Sequence, residues 1–205
     1  MENEIESRLH FLEESRNSHY RIVEVMHVSE GFSLLDMFAW MVLKRSISLV
    51  YGFVALIRAK NLISAAPLVR LQIDNLLRFR AAFLVADSDE FIHSILSGTP
   101  IRRLKDIDEK PMTDAYLQQK FLPEYPWIQE MYKKTSGYIH LSEEHFFNTV
   151  RASGKGEGAI EAYIGPDDRM VSSEIYSEAV ETMILITNSL LTYMAEWVQQ
   201  VRSNP

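Results

Sequence analysis

The stretch at positions 33–60 is the most apolar part of the chain, and it limits the folds available. Asp36, Lys44 and Arg45 interrupt it, so no run reaches the roughly 18 uncharged apolar residues typical of a membrane span. A helix that is apolar on nearly all sides must be covered on several of them. We therefore predict a buried central helix and no contact with a membrane. The residues predicted to lie in the core are Trp40, Leu43, Ile47, Val50 and Val54.

Apolar residues recur at three- and four-residue steps along most of the remaining chain, which predicts further helices. The predicted helical ranges are 4–28, 62–86, 87–96, 113–121, 127–140 and 173–202. Gly31 is predicted to cap the C-terminal end of the helix at 4–28. The apolar pattern of that helix is interrupted by one polar turn at Arg16. No repeat, low-complexity tract or linker divides the chain, so we predict a single helical domain over residues 1–205.

One segment has the pattern of a β-hairpin. TVRAS at 149–153 and AIEAYI at 159–164 flank the glycine-rich GKGEG, and the second segment alternates apolar and polar residues. An isolated two-stranded hairpin is marginally stable, so we expect it to lie against the helices. The predicted fold class is an all-α multi-helix bundle with one small β-hairpin near 149–164.

Composition excludes several kinds of chemistry. The chain has no cysteine, which rules out disulfides, Cys-ligated zinc, iron–sulfur clusters and a thiol nucleophile. The acidic start, MENEIESR, is neither a secretory signal nor a basic transit peptide, so a cytoplasmic location is expected. A net charge of −7 disfavours non-specific binding to nucleic acid, although residues 37–142 carry 14 basic and 10 acidic side chains.

The helix predicted at 62–86 carries charged residues beside its apolar stripe. Arg70, Asp74 and Arg78 are spaced i, i+4, i+8, so Asp74 is placed to pair with either arginine. Two interpretations remain open. The charges form a structural ion-pair ladder, or an arginine oriented by Asp74 binds an anionic ligand.

A second polar stripe lies in the helix predicted at 127–140. Tyr132, Ser136 and His140 share one face at i, i+4, i+8, and a hydroxyl at this spacing orients an imidazole. One interpretation is a structural, satisfied histidine. The other makes His140 a general acid or base, with Lys134 upstream of it.

A zinc interpretation of His140 and His145 fails on spacing. The two histidines are five residues apart, whereas a zinc-binding pair on one helical face is four apart. We therefore predict no metal and no cofactor.

Two of these stretches carry a resemblance. The chain resembles a family of uncharacterised bacterial helical proteins in two segments. The first is an Ala-Pro-Leu-x-Arg-x-x-x-Asp helix that contains Arg70, and the second is the Tyr-x-x-x-Ser-x-x-x-His segment that ends at His140. That family is similar to HEPN-like domains, which are helical, often dimeric, and often metal-independent ribonucleases of toxin or phage-defence systems. The resemblance covers about residues 62–150. Where HEPN ribonucleases have arginine, this chain has Lys134, which lacks the bidentate fork for phosphate.

Two functions follow as hypotheses, and the sequence leaves open whether the chain is an enzyme. In the first, the chain is a HEPN-like protein that binds or cleaves RNA. His140 would act as acid or base, Lys134 and Arg70 would hold phosphate, and the hairpin would form a flap. In the second, it is a non-catalytic helical interaction protein whose polar residues form a buried structural network. A homodimer is expected in either case, because a second subunit would bury apolar helix surface that one chain leaves exposed to water. The residues assigned to ligand binding in the first hypothesis are Arg70, Asp74, Arg78, Tyr132 and Ser136.

Overall fold

The structure, a computed structural model, describes residues 2–27, 33–139, 146, 149–152 and 159–203. It confirms an all-α bundle with one small β-hairpin. The helices are α1 (Glu2–Glu14), α2 (Arg16–His27), α3 (Leu34–Arg58), α4 (Leu62–Ala81), α5 (Ser88–Leu96), α6 (Asp114–Phe121), α7 (Ile128–Ser136) and α8 (Ser173–Ser203). A short 3-10 helix spans Ile101–Arg103, and the strands are β1 (Val150–Ala152) and β2 (Ile160–Ala162).

The apolar stretch forms α3, which begins at a capping box. The Ser33 side chain accepts from the backbone N–H of Asp36, and the Asp36 side chain accepts from that of Ser33. The helix packs against α4, α5, α1 and α2. Length and composition would also allow α3 to cross a membrane, a criterion that core helices of soluble proteins meet as well.

The core side of α3 agrees with the prediction in part. Leu43, Val50 and Val54 are buried, whereas Trp40 and Ile47 are only partly buried. The opposite side is exposed and includes Met37, Met41 and Tyr51. The helix is therefore less enclosed than predicted, because its neighbours cover one side of it.

The helix at the centre of the bundle is α4, which contacts α3, α6, α7 and α8. Phe79, fully buried in its last turns, packs edge-on against Phe83, Tyr193 and Trp197. The helix ends at Ala81 rather than at residue 86. The backbone then turns, and the Leu84 carbonyl accepts from the N–H of Ile107.

Two other predicted boundaries were wrong. The helix predicted at 4–28 divides at Ser15, whose hydroxyl donates to the Leu12 carbonyl at 2.6 Å and so competes with the regular backbone pattern. The helix predicted at 127–140 ends at Ser136. The predicted cap at Gly31 lies outside the described residues. At the other end of the chain, α8 matches the predicted range, with Ile175 and Val201 exposed at the ends of its buried stripe.

The hairpin forms as predicted, and the residues of its second strand are exposed. Val150 pairs with Ala162 and Ala152 pairs with Ile160 in antiparallel register. Ile160 is 71% exposed and Ile164 is 93% exposed, whereas Val150 on the first strand is partly buried. The intervening residues 153–158 lie outside the described part of the chain.

Candidate functional site

The carboxylate of Asp114 is the point where three helices meet. It accepts a hydrogen bond from the Arg70 Nη2 group at 3.2 Å and another from the Arg78 Nη2 group, both on α4. The Tyr132 hydroxyl, on α7, donates to the same carboxylate at 2.5 Å. Asp114 occupies the first turn of α6, immediately after the capping residue Thr113. One carboxylate thus joins α4, α6 and α7.

Arg70 is held on a second side by the ring of Tyr132. The guanidinium carbon lies 3.4 Å from the ring centroid, in a cation–π contact. Only 8% of the residue is exposed. Burial at this level makes pairing with Asp114 important, because a buried charge without a partner is costly.

The predicted ion-pair ladder forms on one side only. Asp74 accepts from Arg78 Nε at 3.0 Å, as the i, i+4 spacing allows. Its other partner is Arg45 of α3, at 3.1 Å, and not Arg70. Arg70 turns to Asp114 instead, since that carboxylate lies between both arginines of α4.

The pKa values of Asp114 and Tyr132 determine the protonation states of these two side chains near neutral pH. Burial opposes ionisation of Asp114, but the hydrogen bond from Tyr132 and the charges of Arg78 and Arg70 outweigh it and lower its pKa. Burial and the Asp114 carboxylate raise the pKa of Tyr132 to about 12. Asp114 is therefore an acceptor and Tyr132 a donor at neutral pH. Neither group is set up to exchange a proton there.

The cluster continues into the bundle through amide side chains. Arg45 Nη1 donates to Asn75 Oδ1 at 2.5 Å, and Asn75 Nδ2 donates to Gln72 Oε1 at 2.9 Å. Gln72 Nε2 donates in turn to Ser46 Oγ at 2.6 Å and to Thr187 Oγ1 at 3.1 Å. These bonds connect α4 with α3 and α8.

The last member of the chain of hydrogen bonds is His19, which is fully buried in α2. Its Nδ1 lies 2.9 Å from the Ser15 carbonyl, which only accepts, so Nδ1 carries the hydrogen. Its Nε2 then accepts from the Ser46 hydroxyl at 2.9 Å. Burial lowers the pKa of His19, and the hydrogen bond to Ser15 opposes that effect. The neutral form of His19 is thus the one that the structure holds.

We call this connected set the polar network. It reaches from α2 to α7 through α3, α4 and α6, and it also includes one residue of α8. Its members are His19, Arg45, Ser46, Arg70, Gln72, Asp74, Asn75, Arg78, Asp114, Tyr132 and Thr187. Its three arginines and two aspartates leave one excess positive charge. Two of its buried N–H groups, Arg70 Nε and Arg78 Nη1, have no hydrogen-bond partner among the described residues.

Lys134 makes different contacts from Tyr132. Residues two apart on an α-helix point roughly 200° apart, so the two side chains leave α7 on different sides. The Lys134 ammonium group forms ion pairs with Glu178 at 2.7 Å and Glu130 at 3.2 Å, and it is exposed. None of these partners is shared with Arg70. The two cations that were predicted to hold one phosphate therefore sit in separate ion-pair systems.

The two remaining predicted site residues have different outcomes. Ser136 lies at the end of α7, where its hydroxyl donates to the Tyr132 carbonyl at 2.6 Å, a local bond within the helix. His140 lies outside the described residues, as does His145, so the roles predicted for His140 and for the hairpin as a flap stay predictions. Within the described ranges, no three His, Cys, Asp or Glu side chains are grouped closely enough to hold a metal ion.

Asp114, the residue at the centre of the network, was not predicted from the sequence. An acidic residue after Thr113 at a helix start is explained by capping alone, so nothing local marked it. Gln72 and Asn75 were detectable in principle, because they are amides within the apolar stripe of α4.

No family model, curated protein or solved structure matched the chain. A functional conclusion therefore depends on the contacts of the described residues.

Proposed function

We propose that this chain is a non-catalytic helical interaction protein, in which the polar network specifies one packing of the bundle. The observation that carries the proposal is the binding of Arg70, Arg78 and Tyr132 to the single carboxylate of Asp114. Hydrogen-bonded networks of this kind fix the register of the helices that they join. Arg70, Arg78 and Tyr132 each direct at least one donor group to this carboxylate.

The exposed side of α3 supports a role in binding other macromolecules. Met37 and Met41 lie one turn apart and are 39% and 47% exposed, and Tyr51 on the same helix is 43% exposed. Methionine and tyrosine adapt well to binding surfaces, because one is flexible and the other combines an apolar ring with a polar group.

The contacts of Lys134 count against RNA cleavage. Metal-free cleavage needs a positioned base and groups that stabilise the charge developing on the phosphate, and Lys134 and Arg70 were the cations predicted for that role. Lys134 is neutralised by Glu130 and Glu178, whereas Arg70 is neutralised by Asp114. The proposal therefore assigns both cations to stability rather than to phosphate binding.

An RNA-cleavage assay tests the proposal. The purified chain is incubated with end-labelled single-stranded RNA and compared with His140→Ala protein prepared identically, which controls for contaminating ribonucleases. We expect the two preparations to leave the RNA equally intact. Cleavage by the wild-type chain that disappears in His140→Ala, at an unchanged melting temperature, would show that the chain is an RNA-cleaving enzyme and overturn the proposal.

A further inference from the structure

The hydrogen bonds that lead from Arg45 to His19 all run in one direction. Arg45 donates to Asn75, and Asn75 donates to Gln72. Gln72 donates to Ser46, whose hydroxyl donates to Nε2 of His19. We call these five residues the donor series. Each inner member accepts a hydrogen bond on the side of Arg45 and donates one on the side of His19.

Arg45 fixes the direction of the donor series at one end. A guanidinium group has only donors, so Asn75 must present its side-chain oxygen to Arg45 and its N–H group to Gln72. The oxygen of Gln72 is then occupied, and its N–H groups face the hydroxyls of Ser46 and Thr187. Turning over either amide would place two donors against each other.

The Ser46 hydroxyl directs its hydrogen to His19. Ser48, on the same helix, donates to the carbonyl four residues before it at 3.0 Å. Ser46 makes no such bond within the part of the chain that the structure describes. Its oxygen lies 2.9 Å from Nε2 of His19 and 2.6 Å from Nε2 of Gln72. Since Gln72 is the donor in its bond, the hydroxyl hydrogen points to His19.

A protonated His19 does not fit this arrangement. Its Nδ1 would stay bonded to the Ser15 carbonyl, but its Nε2 would carry a hydrogen that meets the hydroxyl hydrogen of Ser46. If the Ser46 oxygen accepted from Nε2 instead, the hydroxyl hydrogen would lose its acceptor. His19 is also fully buried, so the imidazolium charge would be held away from water.

The surroundings of His19 offer no charge to compensate an imidazolium. The described polar contacts of the ring are with Ser15 and Ser46, and the residues of α8 beside α2 are uncharged. The charged side chains on the neighbouring turns of α1, α2, α3 and α4 are Glu13, Glu14, Arg16, Arg21, Lys44, Arg45, Arg70 and Asp74. The three carboxylates in that set bond to other side chains.

The helix that carries His19 has a small buried surface. It has 12 residues, and its described buried side chains are His19, Ile22 and Met26. A helix of this length is marginally stable by itself in water. The docking of α2 on the bundle therefore depends on few side chains, and His19 is the one that belongs to the polar network.

We propose that the contact between His19 and Ser46 makes the docking of α2 sensitive to acid. The bundle holds α2 while His19 is neutral and releases it when His19 takes up a proton. The proposal goes beyond the proposed function, because a response to pH does not depend on whether the chain cleaves RNA.

The direction of the pH dependence follows from linkage. Burial lowers the pKa of His19 in the docked state below its ordinary value of 6.5, and undocking restores that value. The released state therefore binds more protons than the docked state. The stability of docking is fully present above pH 6.5 and is lost as the pH falls below it.

Hydrogen exchange of the full chain between about pH 7.5 and 5 tests the proposal. This window lies above the ordinary pKa values of carboxyl groups, 3.8 and 4.5. After correction for intrinsic exchange rates, we expect the protection of α2 amides to fall by up to about tenfold per pH unit below 6.5, because release takes up one proton. We expect α2 to be at least about tenfold less protected than α4 throughout, since it is released while the rest stays folded.

Replacing His19 removes the titrating group. His19→Gln keeps an acceptor for Ser46 but cannot take up a proton, so its α2 protection is expected to be the same across the window. The matched control is His93→Gln, at an exposed position of α5, which is expected to retain the pH dependence of the wild type.

A second variant tests the fixed direction of the donor series. Arg45→Gln combined with Asp74→Asn removes the donor-only end of the series and leaves the net charge unchanged. Asn75 then faces water or an amide, which accept as well as donate, so the series can reverse and the pH dependence is expected to weaken. The matched control, Lys105→Gln with Glu109→Gln, removes an exposed ion pair elsewhere and is expected to behave as the wild type.

Measurements on the wild type decide the proposal even if a variant fails to fold. Wild-type α2 protection that does not change with pH overturns it, as does an equal pH dependence in His19→Gln. Equal protection of α2 and α4 at every pH overturns the separate release of α2. An unchanged pH dependence in the Arg45 and Asp74 double variant overturns the role of the donor series. None of these results involves RNA, so this proposal and the proposed function can fail separately.

Discussion

Replacing Asp114 with alanine is expected to lower the free energy of unfolding by about 3 kcal/mol. The change removes the shared acceptor of Arg70, Arg78 and Tyr132. Arg70 would then remain as a buried cation without a carboxylate partner. Removing one partner of a buried pair costs about 3–5 kcal/mol, and the low end applies because 35% of the Asp114 side chain is exposed.

Urea unfolding followed by circular dichroism measures the effect. The matched control is Asp108→Ala, because that side chain is 56% exposed and lies 3.7 Å from Lys120. We expect the control to change stability by less than about 0.5 kcal/mol. Equal stability of the Asp114 variant and the wild type would show that the network does not hold the bundle together.

Gln72→Ala is expected to destabilise the chain by about 2–4 kcal/mol, for a different reason. Gln72 is fully buried and bonds to Ser46, Asn75 and Thr187, so truncation leaves polar groups unsatisfied and opens a cavity. Gln72→Leu restores most of the volume without the hydrogen bonds. The leucine variant is therefore expected to recover only part of the loss.

Differential scanning calorimetry of the two Gln72 variants separates packing from hydrogen bonding. Gln129→Ala, on an exposed position of α7, is the matched control and is expected to melt close to the wild type. A leucine variant as stable as the wild type would contradict the role assigned to the hydrogen bonds of Gln72.

The helices were predictable because their signals are local. Apolar residues at three- and four-residue steps predicted α3, α4 and α8. The division at Ser15 was not predictable, because it depends on a side chain that donates to a backbone carbonyl three residues earlier. The hairpin pattern was also local, but whether it lies against helices depends on the rest of the fold.

The partners within the network were not predictable from spacing. The i, i+4 pattern predicted an ion pair between Asp74 and Arg78, which forms. It predicted an ion pair between Asp74 and Arg70 equally well, and that pair does not form. The actual partner of Arg70 is 44 residues away on another helix. Periodicity placed Tyr132 and Lys134 on different sides of α7, yet only the fold shows which side faces the network.

A double-mutant cycle between Arg70 and Asp114 decides whether the network is structural. Arg70→Met, Asp114→Ala and the double variant are compared with the wild type by urea unfolding, so that the coupling energy is isolated from the single effects. If the pair holds α4 to α6, the coupling is expected to be about 2 kcal/mol. A coupling below about 0.5 kcal/mol, with both single variants as stable as the wild type, would contradict a structural network.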